Sequence, residues 1–367
     1  MFVENYSGVF GNSVFYLFED FISNDRLKHN DIRQKTSGYL SNSEIYDSLT
    51  NRWYATGSMK IARQYHTTTL LNSGKVLVAG GQGQTGYLAE CELYDPSTGQ
   101  WQVIANMSKP RKYHTATLLD SGKVLVTGGT TTESDVLLNS SEIYDPLTDT
   151  WSKAASMVAA RSEHTAILLN SGKVFVFNYG SISEVYDPLQ DEWSSVAYMK
   201  PPIRYYSIAT ILISGRILTT GGVKSDIYLA DCDIYDPLAD QWQITTNMTA
   251  PRAAHRLILL NTGQVLATGG ETNQGFLASC EIYDPLKNEW HTVANMSEQR
   301  ASHSISLLKS GKVLVAGGYA TPETPGTSEI YDPSTDEWSI AARLIVPRAY
   351  HTATILKSGA VLVTGGE

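Results

Sequence analysis

Cysteine is scarce in this sequence, and its scarcity excludes a disulfide-stabilised fold. Cys91, Cys232 and Cys280 are the only three cysteines among 367 residues. Small secreted scaffolds carry many paired cysteines, whereas an odd and low number fits a reducing compartment. We therefore expect free thiols and favour a cytoplasmic location, while Asn-x-Ser/Thr sequons, such as the one at Asn106, leave secretion open.

Positive charge and long apolar runs are also lacking. The chain has 28 Lys and Arg against 37 Asp and Glu, which gives a net charge of −9. Nucleic-acid binding needs clustered positive charge, so we expect no nucleic-acid partner. No apolar run approaches the roughly 20 residues that cross a bilayer, so we expect no membrane span. With 42% apolar and 18% charged residues, the chain can bury a large core.

Internal repetition is the dominant feature of the sequence. The segment RKYHTATLLDSGKVLVTGG at 111–129 returns as RQYHTTTLLNSGKVLVAGG from Arg63 and RAYHTATILKSGAVLVTGG from Arg348. The segment SEIYDPLTDTW from Ser141 returns as SEIYDPSTDEW from Ser328. Every tryptophan lies seven residues after a repeat tyrosine, and these tyrosines are Tyr46, Tyr94, Tyr144, Tyr186, Tyr235, Tyr283 and Tyr331. A period close to 50 residues with tandem glycines is typical of a propeller blade.

Each repeat predicts four short strands, which we name a to d from the axis outward. The apolar runs around Ser-Gly predict one hairpin, and the E-I-Y and Trp segments around Asp-Pro predict a second. The repeats begin with strands c and d near Tyr46 and end with strands a and b at Gly365-Gly366. We therefore predict an all-β, seven-bladed propeller with four antiparallel strands per blade and a last blade shared by both chain ends. Residues 37–367 would form this domain, and residues 1–36 an N-terminal arm outside the repeat.

The tandem glycines, tyrosine and tryptophan at these offsets resemble the kelch repeat family. The resemblance implies a fold used mostly for protein binding, with the ligand on the face formed by the d–a and b–c loops. It also implies an alternative role as a substrate adaptor of a ubiquitin ligase, although residues 1–36 are shorter than the oligomerisation domain of such adaptors.

The R-x-Y-H and L-L-x-S-G-K-V-L-V segments are also similar to the kelch propeller of galactose oxidase and related copper-radical enzymes. Tyr65-His66, Tyr113-His114 and Tyr350-His351 match the Tyr-His pair of that family. This likeness implies a second alternative, an oxidase of carbohydrates or other alcohols. That family takes a further histidine from a later domain, which has no counterpart up to Glu367, so we expect an incomplete ligand set. The leading expectation is a non-catalytic protein without a metal or other cofactor.

Positions that are filled alike in every blade are expected to be structural. Six histidines follow a repeat arginine by three residues, and equivalent residues of different blades stand too far apart to share one metal ion. A charge fixed in an apolar strand needs a partner, so we expect each repeat arginine to pair with the acidic residue two positions before a repeat tyrosine. The cysteines occupy a strand-c position that is Ser in other blades, which favours inert, half-buried thiols.

Positions that vary between blades are free to serve a ligand. The two residues between each repeat arginine and its histidine vary most. Tyrosines with polar tips there suit a peptide, and a carbohydrate is the alternative, although the same tyrosines could simply pack the loops. The predicted ligand-binding residues are Gln64, Tyr65, Lys112, Tyr113, Glu163, Tyr205, Tyr206 and Tyr350.

The third blade departs from the pattern. Asn178-Tyr179-Gly180 replaces its tandem glycine, and Ser207 stands where the next repeat would have histidine. We interpret these departures as drift that leaves a notch in the binding face.

Overall fold

The computed structural model describes residues 38–131, 134–178, 182–197, 204–320 and 326–367. Across these ranges the chain forms strands and no helix, so the described part contains no helix that could span a membrane. The predicted arm at residues 1–36, and Tyr179 of the irregular third blade, lie outside the described residues.

Seven four-stranded antiparallel sheets make up the fold, and each is one blade with its strands in the order a, b, c, d. Blade 1 consists of Thr67–Leu70, Val76–Ala79, Cys91–Asp95 and Gln100–Val103, and blade 2 of Thr115–Leu118, Val124–Thr127, Ser141–Asp145 and Thr150–Ala154. Blade 3 consists of Thr165–Leu168, Val174–Phe177, Glu184–Asp187 and Glu192–Ser195, and blade 4 of Ile208–Ile211, Ile217–Thr220, Cys232–Asp236 and Gln241–Ile244. Blade 5 consists of Arg256–Leu259, Val265–Thr268, Cys280–Asp284 and Glu289–Val293, and blade 6 of Ser304–Leu307, Val313–Ala316, Ser328–Asp332 and Glu337–Ala341. Blade 7 consists of Thr352–Ile355, Val361–Thr364, Ser43–Asp47 and Arg52–Thr56.

Four of the b–c loops carry a short two-stranded ribbon that the sequence did not predict. The ribbons are Gln82–Gly83 with Gly86–Tyr87, Thr130–Thr131 with Val136–Leu137, Val223–Lys224 with Ile227–Tyr228, and Glu271–Thr272 with Gly275–Phe276. They extend the loops of blades 1, 2, 4 and 5 beyond the sheets.

The ring is closed as predicted. Each strand a contacts strand a of both neighbouring blades, and strand a of blade 7 contacts that of blade 1. Ser43 at the start of the repeat pairs with Thr364 at its end, and the hydroxyls of these two residues lie 2.8 Å apart. All-β, seven-bladed architecture with a shared last blade is therefore confirmed.

The burial of each strand explains its sequence. Strand b is buried along its whole length, and its V-L-V-A type of sequence has no polar face. Strand c alternates and buries the repeat tyrosine, whereas strand d exposes most of its residues. The hydrophobic cores lie between neighbouring blades, since the residues of one core come from two adjacent blades.

Tyrosine and tryptophan fasten each blade to the one before it. In all seven blades their rings lie 5.0–5.2 Å apart between centroids. The indole N–H donates to a backbone carbonyl of the preceding blade, as from Trp101 to Gly57 at 2.8 Å and from Trp151 to Ala105 at 2.9 Å. These aromatic residues are core, as the repeat analysis predicted.

Antiparallel strand order decides where the loops go. Because successive strands reverse direction, every d–a loop and every b–c loop emerges at one end of the ring, and the a–b and c–d turns emerge at the other. The variable pair after each repeat arginine lies in a d–a loop. All predicted ligand-binding residues therefore lie at the same end.

Candidate ligand-binding face

A buried arginine anchors each d–a loop, as predicted. Each of the seven repeat arginines pairs with the predicted carboxylate, and the pairs are Arg63–Glu92, Arg111–Glu142, Arg161–Glu184, Arg204–Asp233, Arg252–Glu281, Arg300–Glu329 and Arg348–Glu44. The arginines are almost completely buried. In blade 2, Arg111 also donates to the carbonyl of Gly128 at 2.8 Å, and Glu142 accepts the backbone N–H of Ser108 at 2.7 Å. One ion pair thus joins a d–a loop, a b–c loop and strand c.

The six repeat histidines are structural, as predicted. Each is buried, and Nε2 hydrogen-bonds with a hydroxyl of the preceding blade, as His114 does with Thr67 at 3.0 Å and His351 with Ser304 at 2.9 Å. Burial, and then the charge of the neighbouring arginine, lowers the pKa of His66 and of His164 to about 3. These imidazoles are neutral links between blades rather than free metal ligands.

The two variable residues of each d–a loop have different positions. The first bridges to the b–c loop of its own blade, as Gln64 does to Gln82 and Lys112 to Thr130. Gln64 and Lys112 are consequently only 7% and 8% exposed, so their side chains form the floor of the face. Tyr205 also bridges, to Val223, but is 41% exposed.

The second residue of each pair forms what we call the rim. All seven rim residues have positive φ, between 50° and 56°, and they are Tyr65, Tyr113, Glu163, Tyr206, Ala254, Ser302 and Tyr350. Backbone hydrogen bonds join neighbours around the mouth of the channel, from Glu163 N–H to Tyr113 carbonyl at 2.9 Å and from Ser302 N–H to Ala254 carbonyl at 3.0 Å. Residues with bulky side chains seldom adopt a positive φ. The backbone bridges between the d–a and b–c loops therefore hold the tyrosines in this conformation.

Tyrosines form a continuous cluster on one side of the mouth. Ring centroids lie 4.4 Å apart for Tyr65 and Tyr113, 5.1 Å for Tyr65 and Tyr350, and 5.0 Å for Tyr350 and Tyr319. The hydroxyl of Tyr319 donates to Glu367, and burial followed by this bond raises the pKa of Tyr319. Four rings from blades 6, 7, 1 and 2 thus present one aromatic surface, which we call the tyrosine cluster.

Lys112 lies under the edge of the tyrosine cluster. Its ammonium nitrogen is 5.0 Å from the ring centroid of Tyr113 and 4.4 Å from that of Tyr87, within the range of cation–π attraction. The same nitrogen lies 3.4 Å from a carboxylate oxygen of Asp135, which also accepts from the Tyr87 hydroxyl at 2.6 Å. The lysine thereby fixes the b–c loops of blades 1 and 2 beside the rim.

The structure brings some predicted residues together and not others. Three of the predicted residues, Tyr65, Tyr113 and Tyr350, belong to the tyrosine cluster, and Lys112 lies beside it. Glu163 and Tyr206 are rim residues of blades 3 and 4, outside the four-ring cluster.

Two residues of this face were not predicted from the sequence. Tyr319 follows a tandem glycine in the b–c loop of blade 6, and Arg256 follows a repeat histidine in blade 5. Both positions vary between blades, so the criterion that selected the rim would also have found them if it had been applied after the repeat histidine and after the tandem glycine.

The cysteine side chains are completely buried, rather than half-buried as expected. Cys91, Cys232 and Cys280 are free and buried on strand c. Burial raises the pKa of each thiol to about 12, so the reactive thiolate is not populated near neutrality.

The histidines of the Tyr-His pairs form hydrogen bonds within the propeller. Nε2 of His66 and of His114 hydrogen-bonds with threonine hydroxyls, and the neighbouring tyrosines pack against each other. In the ranges that the structure covers, no three His, Cys, Asp or Glu residues lie together as metal ligands. The Nε2 atoms of His66, His114 and His351 therefore already have hydroxyl partners.

Comparisons with known proteins agree with this architecture. A profile of the KLHDC2/KLHL20/DRC7 kelch-repeats domain matches residues 33–180, and a profile of the attractin/LZTR1 β-propeller matches residues 176–367. No curated protein sequence gives a significant match.

Solved structures resemble the chain at low sequence identity. A fungal alcohol oxidase of the AA5 family, in complex with copper, superposes with a TM-score of 0.66 at 16% identity, over 83% of this chain and 74% of that chain. YjhT superposes with a TM-score of 0.60 at 15% identity, over 77% of this chain and 98% of that chain. At such identities the likeness is one of fold.

The closed ring and its repeat-specific contacts define a seven-bladed β-propeller whose loops meet at one face. The chain belongs to the kelch-repeat β-propellers, a class of protein that generally serves as a binding scaffold.

Proposed function

We propose that this chain is a non-catalytic module that holds a protein or peptide on the face formed by its d–a and b–c loops. The propeller of residues 37–367 would be the binding domain. The tyrosine cluster carries this proposal, because four aromatic rings with polar tips meet on the face where the repeat is free to vary.

Tyrosine suits this role for a physical reason. It supplies a large contact area with few rotatable bonds, so little conformational entropy is lost on binding. The rim tyrosines Tyr65, Tyr113 and Tyr350 have positive φ, and each lies between a buried arginine and a buried histidine. Their backbone is therefore already fixed before a ligand binds, which lowers the entropy cost of binding. A protein or peptide segment that lies across the mouth would contact rings and polar groups together.

Affinity capture from a native lysate, followed by mass spectrometry, tests the proposal. The baits are the wild type, the rim variant Tyr65→Ala/Tyr113→Ala/Tyr350→Ala and a control variant Leu147→Ala/Leu189→Ala/Leu238→Ala. The control removes three leucines of c–d turns at the opposite end of the ring, which are 93%, 89% and 98% exposed.

We expect a protein retained by the wild type and the control and lost by a rim variant with an unchanged melting temperature. A partner retained equally by all three baits would contradict the assignment of the face. A set of partners lost only by the control would assign binding to the opposite end.

A further inference from the structure

Five leucines occupy the tips of c–d turns, at the end of the ring opposite the proposed ligand face. They are 89–98% exposed, and they are Leu49, Leu147, Leu189, Leu238 and Leu286 of blades 7, 2, 3, 4 and 5. Blades 1 and 6 have Ser97 and Ser334 at this position, so the turn itself does not require leucine. One exposed leucine needs no explanation, but the same exposure in five equivalent turns does.

The backbone of each turn holds its leucine in the same way. The aspartate that ends strand c accepts the leucine N–H two residues later, at 2.9–3.0 Å in all five turns. Serine keeps this bond, since Asp95 accepts the N–H of Ser97 at 2.9 Å. Because equivalent turns of a closed ring end at the same height, the five side chains protrude to a common plane.

The apolar tips are concentrated on one side of this end. Leucines occupy the c–d turns of blades 2 to 5 without interruption. Ile213, in the a–b turn of blade 4, is 70% exposed, whereas the a–b turns of the other blades have asparagine, aspartate or lysine at this position. We call Ile213 and the leucines of blades 2 to 5 the leucine arc.

Cations are the outer partners of the ion pairs beside these turns. In six pairs a lysine or arginine side chain is 41–71% exposed, whereas the aspartate that ends strand c is 13–30% exposed. The cations are Lys75, Lys123, Lys173, Arg216, Lys287 and Lys312. Exposed carboxylates at the same end, which include Asp120, Glu289 and Glu337, balance these cations.

Separate apolar tips fit a lipid surface better than a protein. Each leucine is so exposed that it has little contact with a neighbouring apolar side chain, and a protein partner would need a matching pocket for each tip. A lipid interface needs no matched shape, because headgroups and acyl chains rearrange around each side chain. Leucines that enter together gain from burial, and lysines beside them reach the lipid phosphates.

We propose that this end of the propeller binds the surface of a zwitterionic lipid bilayer, with the leucine arc inserted at the boundary between headgroups and acyl chains. Neutral lipid fits better than anionic lipid, because the cations of this end are balanced and the chain has a net charge of −9. The proposed ligand face would then point away from the bilayer. This inference concerns the other end of the ring and does not depend on the proposed function.

The serines of blades 1 and 6 supply the test substitution, since they form the same turn. The leucine variant is Leu147→Ser/Leu189→Ser/Leu238→Ser/Leu286→Ser. The matched control is Val103→Ser/Ile244→Ser/Ile340→Ser, which removes apolar side chains of strands d that are 53%, 89% and 75% exposed. Sedimentation with sucrose-loaded phosphatidylcholine vesicles measures the partition coefficient, and circular dichroism checks the fold of each variant.

We expect the wild type and the control to sediment with the vesicles. The partition coefficient of the leucine variant should be at least about tenfold lower, because four inserted side chains no longer contact the acyl chains. High salt should not release the wild type, since apolar insertion is not screened.

A fluorescent label shows where the contact lies. Leu238→Cys accepts a polarity-sensitive label that reacts with thiols, whereas the three native cysteines are buried. We expect its emission to shift to the blue when vesicles are added, and the emission of a label at Ile244→Cys to stay the same.

Three results would overturn the inference. The wild type could remain in the supernatant, or a folded leucine variant could sediment as the wild type does. In the third case, sedimentation velocity without vesicles would show a dimer for the wild type and a monomer for the leucine variant, which would assign the leucines to a contact between two copies. None of these results would affect the proposed ligand face.

Discussion

The buried arginine of each blade positions the d–a loop of the proposed binding face as well as the sheet. Arg111 donates to Gly128, to Ser140 and to Glu142 at 2.8–3.1 Å, and it lies two residues before the rim residue Tyr113. The conformation of the rim therefore depends on an ion pair shielded from water. Removal of one partner leaves the other charge buried and alone, which costs more than the pair itself contributes.

Glu142→Gln should lower the free energy of unfolding by about 3–5 kcal/mol, the usual cost of breaking a buried pair. Urea unfolding monitored by tryptophan fluorescence measures this loss. The matched control is Lys123→Gln, which breaks the pair of Lys123 and Asp145 at the other end of the blade, where the lysine side chain is 48% exposed. The control should cost at most about 1 kcal/mol. Equal effects of the two substitutions would contradict the structural role of the buried pair.

The buried histidines should make the stability of the fold sensitive to acid. This sensitivity should begin at pH values above those at which carboxylates titrate. The folded pKa of His66 is about 3 against an ordinary value of 6.5, so the unfolded state binds more protons between these values. Stability is therefore complete above about pH 6.5 and falls with decreasing pH, by up to about 1.4 kcal/mol per pH unit for each such histidine. In the described part of the chain the Nδ1 atoms of all six lack an acceptor, which further disfavours the imidazolium.

Urea midpoints between about pH 7 and about pH 5 measure this dependence. We expect a clear fall for the wild type and a shallower fall for His66→Gln, which keeps a polar group near Thr352 and cannot be protonated. A midpoint that does not change over this interval would show that the histidines titrate normally.

Within single blades, two departures from the repeat lie at positions that contact each other in the regular blades. From the sequence alone we interpreted both departures as drift. In regular blades the first tandem glycine lies against the next repeat arginine and histidine, and a Cβ on Gly128 would come within 2.5 Å of the Arg161 carbonyl oxygen and 2.8 Å of the His164 ring. Blade 3 has Asn178 at the glycine position, and blade 4 has Ser207 at the histidine position. The larger residue occurs where the imidazole is absent, so we expect the two changes to compensate each other in part.

A double-mutant cycle tests this compensation. Ser207→His alone should destabilise the protein, because the ring would meet the side chain of Asn178. Adding Asn178→Gly should recover about 1 kcal/mol or more beyond the sum of the single effects, within the range found for residues in contact. Additive effects in urea unfolding would support drift instead.

The strands could be predicted from the repeat, whereas the positions of the loop side chains could not. Strands, turns, ion pairs and structural histidines follow from residues present in nearly every blade, so each was inferred many times over. Burial of Gln64 and Lys112 depended on their bridges to the b–c loops, which no local pattern indicates. The position of Arg256 depended on closure of the ring, which brings strand a of every blade to one axis.

At the scale of the whole molecule, a sevenfold scaffold carries an uneven face. The tyrosine cluster spans blades 6, 7, 1 and 2, while small rim residues and Arg256 occupy blades 5 and 6. If the proposed face binds a peptide segment, this arrangement would give that segment a direction, with aromatic contact on one side and a charge on the other. The fold alone does not require this uneven chemistry, which is therefore the feature that a ligand would recognise.

The affinity of one captured partner, measured by calorimetry against three proteins, tests that claim most directly. The proteins are the wild type, the rim variant Tyr65→Ala/Tyr113→Ala/Tyr350→Ala and the control variant Leu147→Ala/Leu189→Ala/Leu238→Ala. Loss of three aromatic contacts should weaken binding at least about a hundredfold, equivalent to about 2.7 kcal/mol, and the control should bind as the wild type does. An unchanged affinity in a folded rim variant would contradict the account.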